Sequence, residues 1–168
     1  LGGSRRLETT GGRAQEGDLS AILIENTPWL AGRMRVPKPE TALIPDFEKK
    51  VEAICRETVG QNVTAFAGVP AWNLVMLRKV LEFTGKSNLL EVWPRLELFT
   101  HGGMNFKPYR EQYRQLIPSD RMKYMETYNA SEGFFGLQDD PGDSSMLLML
   151  DYGVYYEFVP ISELTKPH

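Results

Sequence analysis

One cysteine, Cys55, and two histidines, His101 and His168, are all that the 168 residues offer as soft metal ligands or neutral-pH bases. A lone cysteine forms no internal disulfide, and with two histidines it makes no zinc set, so a reducing cytoplasm fits this chain best. Long apolar runs are also missing. Nothing approaches the ~20 residues of a membrane span, and the first residues, LGGSRRLETTGG, lack the apolar block of a secretory signal. Nor does either charge dominate: 19 basic against 22 acidic side chains leave −3. No basic footprint for nucleic acid or an anionic membrane results, and a small molecule or a protein is the expected partner. Internal repeats and coiled-coil heptads are absent.

What is present suits one compact domain, because a chain of this length with 42% hydrophobic residues can bury over half of its unfolded surface. Residues 1–45 read as a poorly defined leading segment and 46–168 as a single α/β unit. Residues 1–18 carry five glycines without a period, which points to a mobile loop or the cut end of something larger. They hold no phosphate loop of the Gly-Lys-Ser/Thr kind, since GGRAQEGD lacks that ending. LSAILIENTPWL is a strand or a short helix limited by Pro28.

From Asp46 the pattern sharpens. Asp46 can cap a helix whose Phe47, Val51, Ile54, Cys55 and Val59 share a stripe, which makes Cys55 a core residue. Val63 to Ala67 reads as a buried strand ended by Gly68, and Pro70 opens a helix to about Phe83 with Leu74, Leu77, Val80 and Leu81 inward. RLELFT, 95–100, alternates as a strand leading into His101-Gly102-Gly103. Pro108 starts a helix carrying Tyr109, Tyr113, Leu116 and Ile117, and MKYMET, 122–127, is a third strand. MLLMLDYGVYYEFVP reads as two antiparallel strands joined near Asp151 to Gly153, while Trp72 and Trp93 read as packing residues. The fold class is α/β: a partial doubly wound parallel sheet with flanking helices and a C-terminal antiparallel strand pair. Ligands of such sheets sit beyond the carboxyl ends of the strands, and AGVP, HGGM and YNASEG leave those ends here.

Ser131 in YNASEG invites comparison with the nucleophile of an α/β-hydrolase, whose Gly-x-Ser-x-Gly turn works with an HGG-type oxyanion loop. That reading lacks a base. The only histidine after Ser131 is His168, the last residue. A nucleotide asks for an aromatic platform, close backbone approach, a hydroxyl near phosphate and a carboxylate for Mg²⁺. Tyr128, Gly102 with Gly103, Ser131 and Glu132 can supply these. The residues also admit plainer roles: Tyr128 as a boundary aromatic, Ser131 as an N-cap with Glu132 in the first turn of a following helix, and His101 as a satisfied loop histidine.

LFTHGGMNFKPY, then ETYNASEGFFGLQ, then YYEFVP, together resemble the auxin-responsive-promoter family of acyl-acid amido synthetases, adenylate-forming enzymes, with the bacterial members the nearer likeness. The resemblance runs from about Asp46 to Leu164. It implies an enzyme that uses ATP and Mg²⁺ to adenylate a carboxylic acid and passes the acyl group to an amine such as an amino acid. It implies that YNASE (Tyr128, Asn129, Ala130, Ser131, Glu132) is the nucleotide motif, with Tyr128 on adenine, Ser131 near phosphate and Glu132 holding Mg²⁺. Gly102, Gly103 and Met104 would line the pocket. The family's Ser/Thr/Gly-rich phosphate loop and its Tyr-Arg-x-Gly-Asp segment are not found. The chain, which starts at Leu1, therefore reads as the middle third of a longer enzyme that needs the remainder of the same polypeptide. The competing class is a non-catalytic α/β interaction module.

Overall fold

The computed structural model describes residues 19–164 together with the backbone of two short strands, β1 (Arg5–Arg6) and β2 (Glu16–Gly17), which pair antiparallel. The rest of the glycine-rich stretch 1–18 lies outside the described residues, as does His168.

LSAILIENTPWL forms helices. Helix α1 (Leu19–Glu25) ends where the Thr27 hydroxyl donates back to the carbonyls of Leu23 and Ile24, and Pro28 then precedes α2 (Trp29–Met34). A short α3 (Pro39–Ala42) packs on α4 (Phe47–Thr58). Asp46 caps α4 as its sequence position implies: its Oδ1 accepts the Lys49 N–H at 2.8 Å. Val51, Ile54 and Cys55 are buried, whereas Phe47 stays partly exposed and meets the ring of Trp72 at 6.2 Å. Trp72 is thus a half-exposed surface contact. Trp93 is a true core residue whose indole N–H donates to the Thr58 carbonyl at 3.1 Å.

The main sheet runs β3 (Ala65–Gly68), β4 (Leu98–Gly102), β5 (Lys123–Ala130), β6 (Gly133–Leu137), β7 (Leu147–Leu148) in spatial order. The first three strands are parallel and the last two join antiparallel. The crossovers are α5 (Pro70–Thr84) and α6 (Arg110–Leu116). Pro70 occupies the first helical turn of α5, and Gly85 closes it at φ +66°, donating its N–H to Leu81. Helix α6 begins two residues after Pro108, because a turn from Phe106 to Tyr109 comes first.

Several strand limits differ from the sequence expectation. β3 starts at Ala65, and as an edge strand it leaves Ala65 and Ala67 exposed instead of buried. β4 starts at Leu98, since Leu96 still closes a turn onto Trp93, and it takes in His101 and Gly102. β5 continues through Tyr128, Asn129 and Ala130. The antiparallel pairing expected within 146–160 is made instead by β6, from GFFGL, with only Leu147–Leu148 added; residues 151–160 form no strand. Glycines at 133 and 136 break the alternation that would have marked β6 as a strand. A side chain at Gly136 would lie in ordinary van der Waals contact with Met146 and the Leu147 carbonyl, 3.4 and 3.5 Å from its Cβ position.

One face of the parallel strands is packed with rings. Register partners Phe66 and Phe99 stack at 4.4 Å, and Tyr113 from α6 stacks on Phe99 at 4.8 Å. Phe106 and Tyr124 complete the cluster at 5.8 Å from Phe99 and 5.1 Å from Phe106 respectively. Ring pairs of this kind add about 0.5–1.5 kcal/mol each beyond their burial. The Tyr113 hydroxyl donates to the Pro70 carbonyl at 2.8 Å and so ties α6 to the start of α5.

Candidate functional site

Three chain segments meet at the carboxyl ends of β3, β4 and β5, and each is held by a contact that can be named. After β3 the chain turns at Gly68, φ +134°, into Val69 and Pro70. The buried Asn73 side chain donates to the carbonyls of Ala67 and Val69, at 3.3 and 3.2 Å, which fixes this turn from inside. Gly103, φ +79°, brings HGGM against it: the Cβ position of Gly103 lies 3.5 Å from Val69 Cγ2. Only glycine adopts that backbone angle without strain.

Gly102 makes the second junction. It pairs in register with Thr127, and a Cβ at residue 102 would stand 2.4 Å from the Thr127 carbonyl oxygen and 2.9 Å from its Oγ1. The Thr127 hydroxyl donates to the His101 carbonyl at 3.2 Å. The ends of β4 and β5 are therefore closer than two side-chain-bearing strands allow. Met104 is half-buried just beyond, and Gly103 is exposed.

YNASEG is strand and turn. Tyr128 lies opposite Gly136, Asn129 opposite Phe134 and Ala130 opposite Gly133, with an irregularity in register between Tyr128 and Asn129. Ser131 and Glu132 are the two turn residues between β5 and β6, both exposed, and neither has positive φ. Two-residue hairpins favour mirror-image turns with positive φ, and the register irregularity two residues earlier accommodates the departure. No helix follows, so Ser131 is not an N-cap and Glu132 is not a first-turn residue. The strained strand-to-helix elbow of a hydrolase nucleophile is absent for the same reason.

Tyr128 is 58% exposed, with Phe135 supporting its ring at 5.3 Å. Phe135 meets Tyr156 at 6.4 Å, and Tyr156 stacks with Phe158 at 6.3 Å while donating its hydroxyl to the Met149 carbonyl. At ~3.3 Å per strand residue, Ser131 stands roughly 13 Å beyond Thr127. Gly102, Gly103, Val69 and Thr127 thus tie the rim together, and Ser131 with Glu132 project from it. Among the described residues the Ser131 hydroxyl has no hydrogen-bond partner, and no group of three His, Cys, Asp or Glu is placed to hold a metal ion.

His101 is not a loop residue. It is a 3% exposed strand residue whose ring stacks on Phe106 at 4.2 Å, with Nδ1 unpartnered. Burial first, and the Arg110 guanidinium second, push it down to about 4, so the imidazole is neutral at pH 7. Its unfolded-state value is about 6.5. Below that value the unfolded chain takes a proton that the folded one refuses. The His101 contribution is therefore complete above pH 6.5 and is lost as pH falls toward 4, by about 3 kcal/mol. Urea unfolding midpoints measured from pH 7 to 4 should fall, and the drop should shrink in His101→Phe.

Thr127, Asn73 and Phe106 were not singled out from the sequence. A threonine in a strand and an asparagine in a helix carry no local signal; their importance comes from what the sheet places beside them.

The sheet, with its crossover helices and rim of small residues, defines an open α/β protein of the kind whose ligands bind beyond the strand ends. The family model described as GH3 family N-terminal domain matches residues 12–122, more than half of the chain, and the chain belongs to that family, which comprises adenylate-forming acyl-acid amido synthetases. The matched span includes AGVP and HGGM and stops before Tyr128. No curated protein and no solved structure gives a significant match. Among the described residues no helix is long and apolar enough to cross a membrane.

Proposed function

We propose that this chain supplies the nucleotide-handling rim of an ATP-dependent ligase that adenylates a carboxylic acid and delivers the acyl group to an amine such as an amino acid. The observation that carries the reading is Tyr128: an exposed ring, braced by Phe135, on the residue next to the Thr127–Gly102 junction. A braced, exposed ring is a stacking platform for adenine. Ser131, without a partner, is available to phosphate, and Gly102, Gly103 and Met104 line the approach.

The donor set fits Mg²⁺ in one respect that matters. A single exposed carboxylate, Glu132, is too little for a protein-only cation cage, whereas Mg²⁺ usually keeps its waters and takes one or two carboxylates plus substrate phosphates. When bound, Mg²⁺ neutralises phosphate charge at the reacting phosphoryl group. The chain's own residues orient the base, approach the phosphates and hold one side of the metal.

The acid, the amine and the remainder of the same polypeptide complete the site. Without the family's ribose-binding segment and phosphate loop, these 168 residues do not position both reactants, and no pyrophosphate release from ATP and acids is expected of them. Calorimetric titration with Mg·ATP tests the binding half. Tyr128→Ala should weaken binding about tenfold, since a stacked base is worth ~1–3 kcal/mol. Equal affinity in the variant would remove Tyr128 from the site, and steady pyrophosphate release would refute the dependence on missing parts.

A further inference from the structure

We infer that Thr127 is a positioning residue: its hydroxyl clamps the end of β4 to β5 and so sets the distance between the HGGM segment and the Tyr128 platform. The inference rests on the nucleotide reading above for its consequence, and on geometry alone for the clamp.

The two strands whose ends form the rim are in register at Gly102 and Thr127. An ordinary parallel pair is held by backbone bonds and leaves room for a Cβ on each residue. Here the Cβ position of Gly102 is 2.4 Å from the Thr127 carbonyl oxygen, so the β4 backbone is drawn in past the point where any other residue fits. The group that spans this closed junction is the Thr127 side chain. Its Oγ1 stands 2.9 Å from that same Cβ position and donates to the His101 carbonyl at 3.2 Å. His101 itself cannot shift to follow a loosened strand end, because its ring is packed on Phe106 in the aromatic core. The hydroxyl therefore joins a rigid residue of β4 to the residue that precedes Tyr128. Gly103, one step further, rests on Val69, so a change at Thr127 passes to the third segment as well. Valine has the same shape as threonine without the hydroxyl, and it turns a satisfied carbonyl contact into an apolar one.

Thr127→Val and Thr127→Ser separate the clamp from packing. Amide hydrogen exchange at Gly102, Gly103 and Tyr128 should quicken about tenfold in Thr127→Val and stay near wild type in Thr127→Ser, with amides inside α5 unchanged in both. Mg·ATP affinity should fall about tenfold in Thr127→Val and recover in Thr127→Ser, at equal urea midpoints. Unchanged exchange at the rim in Thr127→Val overturns the clamp. A uniform rise in exchange that includes α5 also overturns it, because the residue would then serve stability alone. Quickened rim exchange with no Mg·ATP binding by the wild type supports the clamp and overturns the nucleotide reading.

Discussion

Glu132→Gln is expected to abolish the Mg²⁺ dependence of ATP binding. The substitution keeps the size of the side chain and the hairpin turn, and it removes the one charge that the turn offers a cation. Glu132 is exposed, with no helix behind it, so neither a cap nor a buried contact is lost, and the unfolding midpoint should not move. Direct metal ligands matter at least as much as the groups behind them, whose loss costs 10–100-fold in metal affinity, so a decrease of about a hundredfold in Mg·ATP affinity is expected. Affinity for ATP in EDTA should be equal in the two proteins. Titrations at several Mg²⁺ concentrations read both quantities. An unchanged Mg²⁺ dependence would return the turn to an ordinary surface hairpin.

Gly102→Ala should damage both stability and binding. The new methyl would sit 2.4 Å from a backbone oxygen, which no rotamer change relieves, so β4 and β5 must part. Overpacking of this type costs about 3 kcal/mol at a well-packed junction. The separation falls between HGGM and Tyr128, hence Mg·ATP binding should fail even where the variant stays folded. Gly32→Ala is the contrast: that glycine lies inside α2 with nothing within 4 Å of its Cβ position, and alanine there should stabilise by roughly 0.5–1 kcal/mol. Urea unfolding of the three proteins gives the ranking. A Gly102→Ala midpoint equal to wild type would show that the two strand ends are not held as described.

How legible all this was depends on where the information resides. Helices α4 and α5 follow from Asp46, from Pro70 and from apolar spacing, all local signals, and the structure has them within a residue of the expected limits. The parallel order follows from alternation of strand and helix. The hairpin did not follow, because Gly133 and Gly136 hide its period, and so Ser131 was open to an N-cap reading that the strand after it removes. The two glycines after His101 suggest a loop; the neighbouring strands extend β4 past that point. At the site, residue types were readable while distances were not. Nothing in ETYNASE says that Thr127 touches Gly102, for that contact exists only once β4 and β5 lie side by side.

In the proposed function a nucleotide occupies the rim between HGGM and the β5–β6 hairpin. Photolabelling with 8-azido-ATP and Mg²⁺, followed by peptide mapping, tests it most directly. Label that excess ATP competes away is expected, confined to peptides carrying Gly102 to Met104 or Tyr128 to Phe135. Competable label concentrated elsewhere, for instance on the exposed face of α5 around Trp72, or no competable label at all, would contradict it.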